Sequence, residues 1–289
     1  MTAGLVAVNL LLLIAGCSAP AETADPPTEI GLARAHAHND YLQERPLLDA
    51  LGHGFTSVEA DVWLSDGELL VAHDLDEVEP EQTLRSLYLD PLSTIVEDNE
   101  GVVYPGGPAT LTLLVDVKSE ADPTYQELES QLTDYEQMLT LFSPDGVTPG
   151  AVTVVVSGNR SEVLLDGSRE RLAAYDGRLD DLSGAMPASI IPLISDDWTE
   201  QFSWSGSGAM PTQERARLEG IVSMAHDTGR RVRLWATPET EKLWEVLVDV
   251  GVDTINTDRL ADLGDFLLES DPDPAQPEIE PWPKLASGE

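Results

Sequence analysis

Ser57-Val58-Glu59-Ala60-Asp61-Val62 and, further on, Leu114-Val115-Asp116-Val117-Lys118 are apolar runs in which charge recurs at every second position. Successive strand side chains alternate faces, so Glu59 and Asp61 share one face, as do Asp116 and Lys118. Asp176/Arg178 and Asn256/Asp258 repeat the spacing. A charge aimed into a core is costly unless it is paired or coordinated. A structural salt bridge explains any one such pair; several strand ends with the same spacing point to a site. Barrels of alternating strands and helices place their catalytic groups at the carboxyl ends of the strands.

Outward from these two runs, short apolar stretches alternate with helix-period segments, the pattern of repeated strand–helix units on a parallel sheet. Strands are predicted at Gly31–His36, Ser57–Val62, Leu111–Val117, Val152–Ser157, Leu172–Asp176, Ser189–Ile194, Val232–Ala236 and Asp253–Thr257. Helices are predicted at Arg45–Leu51, Thr124–Leu141, Arg160–Leu165, Thr212–Thr228, Pro238–Val250 and Leu260–Leu268. Glu68–His73 reads as an extra strand turned back through Asp66-Gly67, followed by a weakly patterned excursion over 75–110. The fold class is α/β, a single-domain (β/α)8 TIM barrel over residues 30–268 with a small hairpin and loop excursion after the second strand.

The ends read differently. Leu5 to Ile14 is an apolar run too short to span a bilayer, and it closes on Ile14-Ala15-Gly16-Cys17. That is similar to a bacterial lipobox, which implies a signal over 1–17 and lipidation of Cys17, the chain's one cysteine. Export and anchoring to the cell membrane are the expectation. Residues 18–29 read as a flexible tether, and 269–289, rich in proline and acid, as a disordered tail. The net charge of -37, with lysine only at 118, 242 and 284, argues against nucleic acid or a bare anionic membrane surface as partner.

Three carboxylates converging from neighbouring strands, Glu59, Asp61 and Asp116, make a hard oxygen site suited to one Mg2+ or Ca2+ rather than zinc. His36 ends the first strand and His73 the extra one. Two histidines titrating near neutrality can serve as base and acid across one phosphorus. His36 is expected as base and His73 as acid. His38, two residues beyond His36, shares its face. His53 and His226 are read as ordinary structural histidines.

Ala35-His36-Ala37-His38-Asn39, then Glu59-Ala60-Asp61, Ala72-His73-Asp74 and Asp116-Val117-Lys118 resemble the PI-PLC-like phosphodiesterase superfamily, which includes glycerophosphodiester phosphodiesterases and sphingomyelinases D. With Pro46-Leu47-Leu48-Asp49-Ala50-Leu51 and Gly54–Asp61, the resemblance is nearest to the branch named after fungal altered-inheritance-of-mitochondria proteins. It implies His36 and His73 as catalytic and Glu59, Asp61 and Asp116 as metal ligands. It also implies Lys118 as phosphate contact, Trp235 near the substrate, and Asn39 at the position of a family asparagine. Arg178 and Asn256 complete the expected substrate contacts. The His-Arg-Gly, Pro-Glu-Asn-Thr and Glu-x-Lys elements of glycerophosphodiesterases are absent, which points away from glycerophosphodiesters as the natural substrate. The implied partner is a phosphodiester, either a small molecule or a lipid.

Two other classes fit parts of the sequence. His36-x-His38 imitates the first-strand ligands of zinc amidohydrolases, but only His226 follows His73 to supply more. A non-catalytic envelope lipoprotein could use the same barrel as a binding module.

Overall fold

Eight parallel strands close on themselves: β1 (Leu32–Ala37), β2 (Phe55–Ser65), β4 (Leu111–Val117), β7 (Val152–Gly158), β8 (Ala173–Gly177), β9 (Leu193–Asp197), β10 (Arg231–Trp235) and β11 (Thr254–Thr257), with β11 and β2 both paired to β1. Between β2 and β4 lies β3 (Glu68–Val71), antiparallel to β2 through the Asp66-Gly67 turn, where both residues have positive φ. The computed structural model describes residue 28 and residues 30–107 and 110–279. Cys17, the apolar leader and nearly all of the tether lie outside the described residues.

The helices cover the barrel as the crossovers require: α1 (Leu48–Gly52), α2 (Asp90–Asp98), α3 (Ala121–Thr133), α4 (Trp198–Gln201), α5 (Thr212–Asp227), α6 (Glu241–Val250) and α7 (Leu260–Ser270). On α6 the Thr240 hydroxyl accepts from the Leu243 amide, and Gly251 at φ 85 ends the helix in the left-handed conformation. Its apolar face buries Leu243, Trp244 and Leu247 almost completely. Truncating one of these leucines would cost roughly 2–5 kcal/mol by transfer and cavity effects.

Several predicted boundaries shift, for local reasons. The sixth barrel strand starts at Leu193 rather than Ser189, because Pro192 has no N–H to give a ladder and Ile190 and Ile191 pack outside with Ile194. The helix predicted to reach Leu141 stops at Thr133. The remainder forms a small hairpin, β5 (Leu141–Ser143) with β6 (Gly146–Thr148), turned through Pro144-Asp145. The 75–110 excursion contains α2, entered through a wider π turn at Arg85–Leu89 and started by Pro91. Arg160–Leu165 is a single 3-10 turn from Glu162.

The tail departs most. Residues 271–279, expected to be disordered, lie across the amino-terminal end of the barrel. Asp271, 7% exposed, takes a 2.8 Å bond from Arg34 Nε, and the Pro274 carbonyl accepts from the Ala33 amide. A register shift in β1 between Leu32 and His36 sends Arg34 outward to this strap, while Ala33 lines the floor of the barrel interior with Thr112, Thr153 and Thr254. A proline-rich segment is ordered here because a buried arginine needs its carboxylate.

Candidate active site

Strand register sets the carboxylates. Asp61 on β2 pairs across to Asp116 on β4, and Asp116 to Ser157 on β7, so three neighbouring strands end in polar groups at one level. Glu59 lies one inward position below Asp61. Oxygens of Glu59, Asp61 and Asp116 lie within 4.8 Å of one another, the one metal-competent group among the described residues. Lys118 Nζ sits 3.0 Å from Asp61 Oδ2 and 3.3 Å from Asp116 Oδ1. Tyr41 donates to Asp61 Oδ2 at 2.8 Å. Asp61 Oδ1 is buried with no hydrogen-bond partner. A hard donor set of three carboxylates, one with an orphaned buried oxygen, fits a divalent cation.

The electrostatics show how crowded this charge is. Burial pushes the Asp61 carboxyl up to about 6, with Glu59 and Asp116 adding to the rise and Lys118 opposing it. Asp116 is raised by burial and by Glu59 against the same lysine. Burial would lower Lys118, but the two aspartates outweigh it and raise its pKa. Burial would also raise Glu59; the Arg233 guanidinium and His36 overcome it and hold the carboxyl well below the usual range. Arg233 Nη2 donates to Glu59 Oε2 at 2.7 Å, and its Nε donates to Asn256 Oδ1 at 2.8 Å.

A cavity of about 230 Å³ opens over this cluster. Glu59, Asp116 and Lys118 line it, as do His38, Asn39 and His73 from the loops after β1 and β3. Ser157, Arg233 and Trp235 come from later strands, and Arg178 from the residue that follows β8. A larger hollow of about 560 Å³ lies at the opposite end, beside Arg34, Asp271 and Glu278. It contains no metal-competent group among the described residues.

The two histidines of the first strand separate. His36, expected as the base, is wholly buried and does not line the cavity. Its Nδ1 is 2.7 Å from Ser57 Oγ and its Nε2 3.4 Å from Glu59 Oε2. Burial, aided by Arg233, pushes its pKa down to about 4. His38 takes the cavity position instead, with Nδ1 2.8 Å from Asp258 Oδ1 and Nε2 3.9 Å from Glu59 Oε2. His73 lies at the opening, half exposed, 3.3 Å from Asp74. Asn39, Arg178 and Trp235 reach the cavity as expected; Asn256 does not, because it is committed to Arg233 beneath it.

Four residues beyond the expected catalytic, metal and substrate contacts shape the site. Asp176, fully buried, accepts from Ser157 at 2.7 Å, Ser195 at 2.5 Å and Arg178 Nη1 at 2.8 Å. Arg178 then lies 4.9 Å over the Trp235 ring. Asp40 pins the loop that carries Asn39 and Tyr41 by accepting from the Leu47 amide and the Tyr88 hydroxyl; burial raises its pKa to about 6. Tyr41 belongs to the same loop. Gly158, at φ 66, lets β7 approach Asp116. The Asp-x-Arg spacing was a signal for Asp176; nothing in the sequence distinguished Tyr41 or Gly158 from other loop residues.

Residues 25–176 match the family model for an AIM6-like phosphodiesterase domain. Altered inheritance of mitochondria protein 6 of Eremothecium gossypii is 30% identical over an alignment covering 84% of this chain and 71% of that protein. Its namesake in Lachancea thermotolerans is 32% identical, covering 80% and 64%. Among solved structures, a glycerophosphodiester phosphodiesterase from Parabacteroides distasonis superposes with a TM-score of 0.48 at 17% identity, covering 83% of this chain and 98% of that one.

Proposed function

The chain belongs to the family of AIM6-like phosphodiesterase domains, and we propose that it cleaves a phosphodiester in the cavity above β2 and β4, with Glu59, Asp61 and Asp116 holding one Mg2+ or Ca2+. The observation that carries this reading is the meeting of a three-carboxylate cluster, a lysine and two histidines in one cavity. A divalent ion bound there would draw a non-bridging phosphate oxygen and stabilise the charge that develops during reaction.

The chain's own residues supply the rest. Lys118, bridging Asp61 and Asp116, offers a second positive centre to the phosphate. Asp258 accepts the Nδ1 proton of His38, which leaves Nε2 as the free acceptor on the Glu59 side. His38 therefore takes the role first expected of His36: it removes the proton from the attacking hydroxyl, whether water or a hydroxyl of the substrate itself. His73 protonates the leaving oxygen. Asn39, Arg178 and Trp235 hold the remainder of the substrate.

Turnover of bis(p-nitrophenyl) phosphate, glycerophosphodiesters and lysophospholipids with Mg2+, Ca2+ or chelator tests the proposal. Cleavage that EDTA stops and one of the two ions restores is expected. No cleavage of any diester under either ion would defeat it, and stoichiometric zinc in the purified protein would favour an amidohydrolase-like reaction. A cyclic phosphate among the products would identify the substrate's own hydroxyl as attacking group. Anchoring through Cys17 is part of the same proposal, and membrane fractionation of Cys17→Ala against the parent tests it.

A further inference from the structure

We infer that His36 is a positioning residue that holds Glu59 from beneath and takes no part in proton transfer. The inference rests on the proposed metal site, because it concerns how one carboxylate of that site is aimed.

His36 and Ser57 face each other across the β1–β2 seam, at the register pair where the barrel closes. Glu59 is one inward position further along β2. An ionised carboxylate has no proton to give, so in the 3.4 Å contact His36 Nε2 donates to Glu59 Oε2. A neutral imidazole has one N–H. Its Nδ1 is then the acceptor, and it takes the Ser57 hydroxyl proton at 2.7 Å. Both ring nitrogens are thereby committed, and the ring is 0% exposed. It offers a substrate neither a lone pair nor a proton.

Glu59 Oε2 also receives Arg233 Nη2 at 2.7 Å, and Arg233 is steered in turn by Asn256. One oxygen of Glu59 is therefore occupied from two directions, by strands β1 and β10. Its other oxygen is left for a cation. The chain Ser57–His36–Glu59–Arg233–Asn256 crosses the barrel interior just under the cavity and fixes the carboxylate plane. Partners that orient a ligating group typically change metal affinity by roughly 10–100-fold when removed. His38, which does reach the cavity and has its own carboxylate partner, leaves no vacancy for His36 in the chemistry.

Calorimetric titration of Mg2+ and Ca2+ into the wild-type protein, His36→Gln and His36→Ala, together with turnover at saturating cation, tests the inference. A glutamine side-chain amide can still donate to Glu59 but cannot carry a proton between substrate and solvent. His36→Gln is expected to keep both the dissociation constant and kcat within a few-fold. His36→Ala should raise the dissociation constant by about 10–100-fold while kcat recovers at saturating cation. Ser57→Ala, which only frees the far ring nitrogen, should fall between them and serves if the alanine variant at 36 does not fold. Loss of kcat in His36→Gln at saturating cation, with affinity unchanged, would make His36 a proton carrier and overturn the inference. Unchanged affinity in all three variants would make it mere core filling and overturn it equally. If the wild-type protein binds neither cation, the metal site itself fails; unchanged variants beside a binding wild type defeat this inference alone.

Discussion

A Cβ atom on Gly158 would lie 2.1 Å from Asp116 Oδ1 and 2.5 Å from the Val117 carbonyl. The end of β7 is thus built against the carboxylate that β4 presents, and only a residue without a side chain permits the contact. At φ 66 any other residue also bears backbone strain of order 1–3 kcal/mol. Gly158→Ala should therefore push Asp116 out of register with Asp61. A lowered melting temperature and divalent-cation affinity weakened at least 10-fold are expected, by differential scanning fluorimetry and calorimetric titration. A variant with parental cation affinity would show that Asp116 is not a ligand.

Burial, with Glu59 adding to it, raises Asp61 and Asp116, and a cation held between them would offset both effects. Mg2+ or Ca2+ should accordingly raise the melting temperature, by linkage worth about 2.7 kcal/mol at a hundred times the dissociation constant. Asp61→Asn is expected to melt at or above the wild-type temperature without cation, because the burial of an ionised carboxyl, which Lys118 only partly offsets, is gone, and to lose most of the cation-dependent shift. A shift that persists unchanged in Asp61→Asn would place the ion elsewhere.

His38 and Asp258 act together in the proposed reaction. His38→Ala should lower kcat/KM by roughly 10²–10⁴-fold, the range for a general acid–base group. Asp258→Asn, which cannot accept the Nδ1 proton through a charged oxygen, should lose less, about 10-fold, and mainly in kcat. Steady-state kinetics on one chromogenic diester decides it. Equal, small losses in both variants would remove His38 from the chemistry.

The barrel was legible because its strands are apolar runs with charges held to one face; the third strand falls on Leu111–Val117 as read from the residues. What was not legible depended on partners distant in sequence. The tail reads as disordered from its prolines, yet the Arg34–Asp271 bond reaches across 237 residues of sequence to hold its start. In the site, alternation makes His36 and His38 equivalent. The structure separates them because the strand continues from Ala37 into the loop, where the His38 amide still bonds to the Thr257 carbonyl and the side chain meets Asp258. Burial depth along a strand is a property of the closed barrel, and no local pattern encodes it.

At the other end of the barrel His226 Nε2 lies 2.9 Å from Asp253 Oδ2. That hydrogen bond, partly opposed by burial, raises the histidine pKa above its ordinary 6.5, with Glu278 adding to the rise and Arg34 opposing it. A group whose pKa is higher when folded stabilises the fold most below its unfolded value, and the contribution is lost as pH rises through the folded value. Mutual repulsion in a chain of net charge -37 also changes with pH, so the difference between parent and variant is the informative quantity. Urea unfolding should show the parent more stable than His226→Gln at pH 5.5 and the gap closing by pH 9. A constant gap would mean that the pair is held by shape and not by charge.

Asp176 presents the last relationship that can be broken without touching the proposed ligands. Its carboxylate accepts from two serines and from Arg178, and the guanidinium so held lies over Trp235. A hydrogen bond to a charged group contributes about 1.5–3 kcal/mol, and an arginine freed from it samples more rotamers before it meets a ligand. Asp176→Asn keeps the size of the side chain but not its charge. It should raise KM by about 10-fold or more while kcat falls less, because Arg178, the proposed substrate contact, is displaced and the proposed proton-transfer groups are not. Arg178→Lys should behave alike, since an ammonium can neither stack flat on the indole nor span Asp176 and the cavity. A pure kcat defect in either variant would instead put Arg178 in contact with the reacting phosphate.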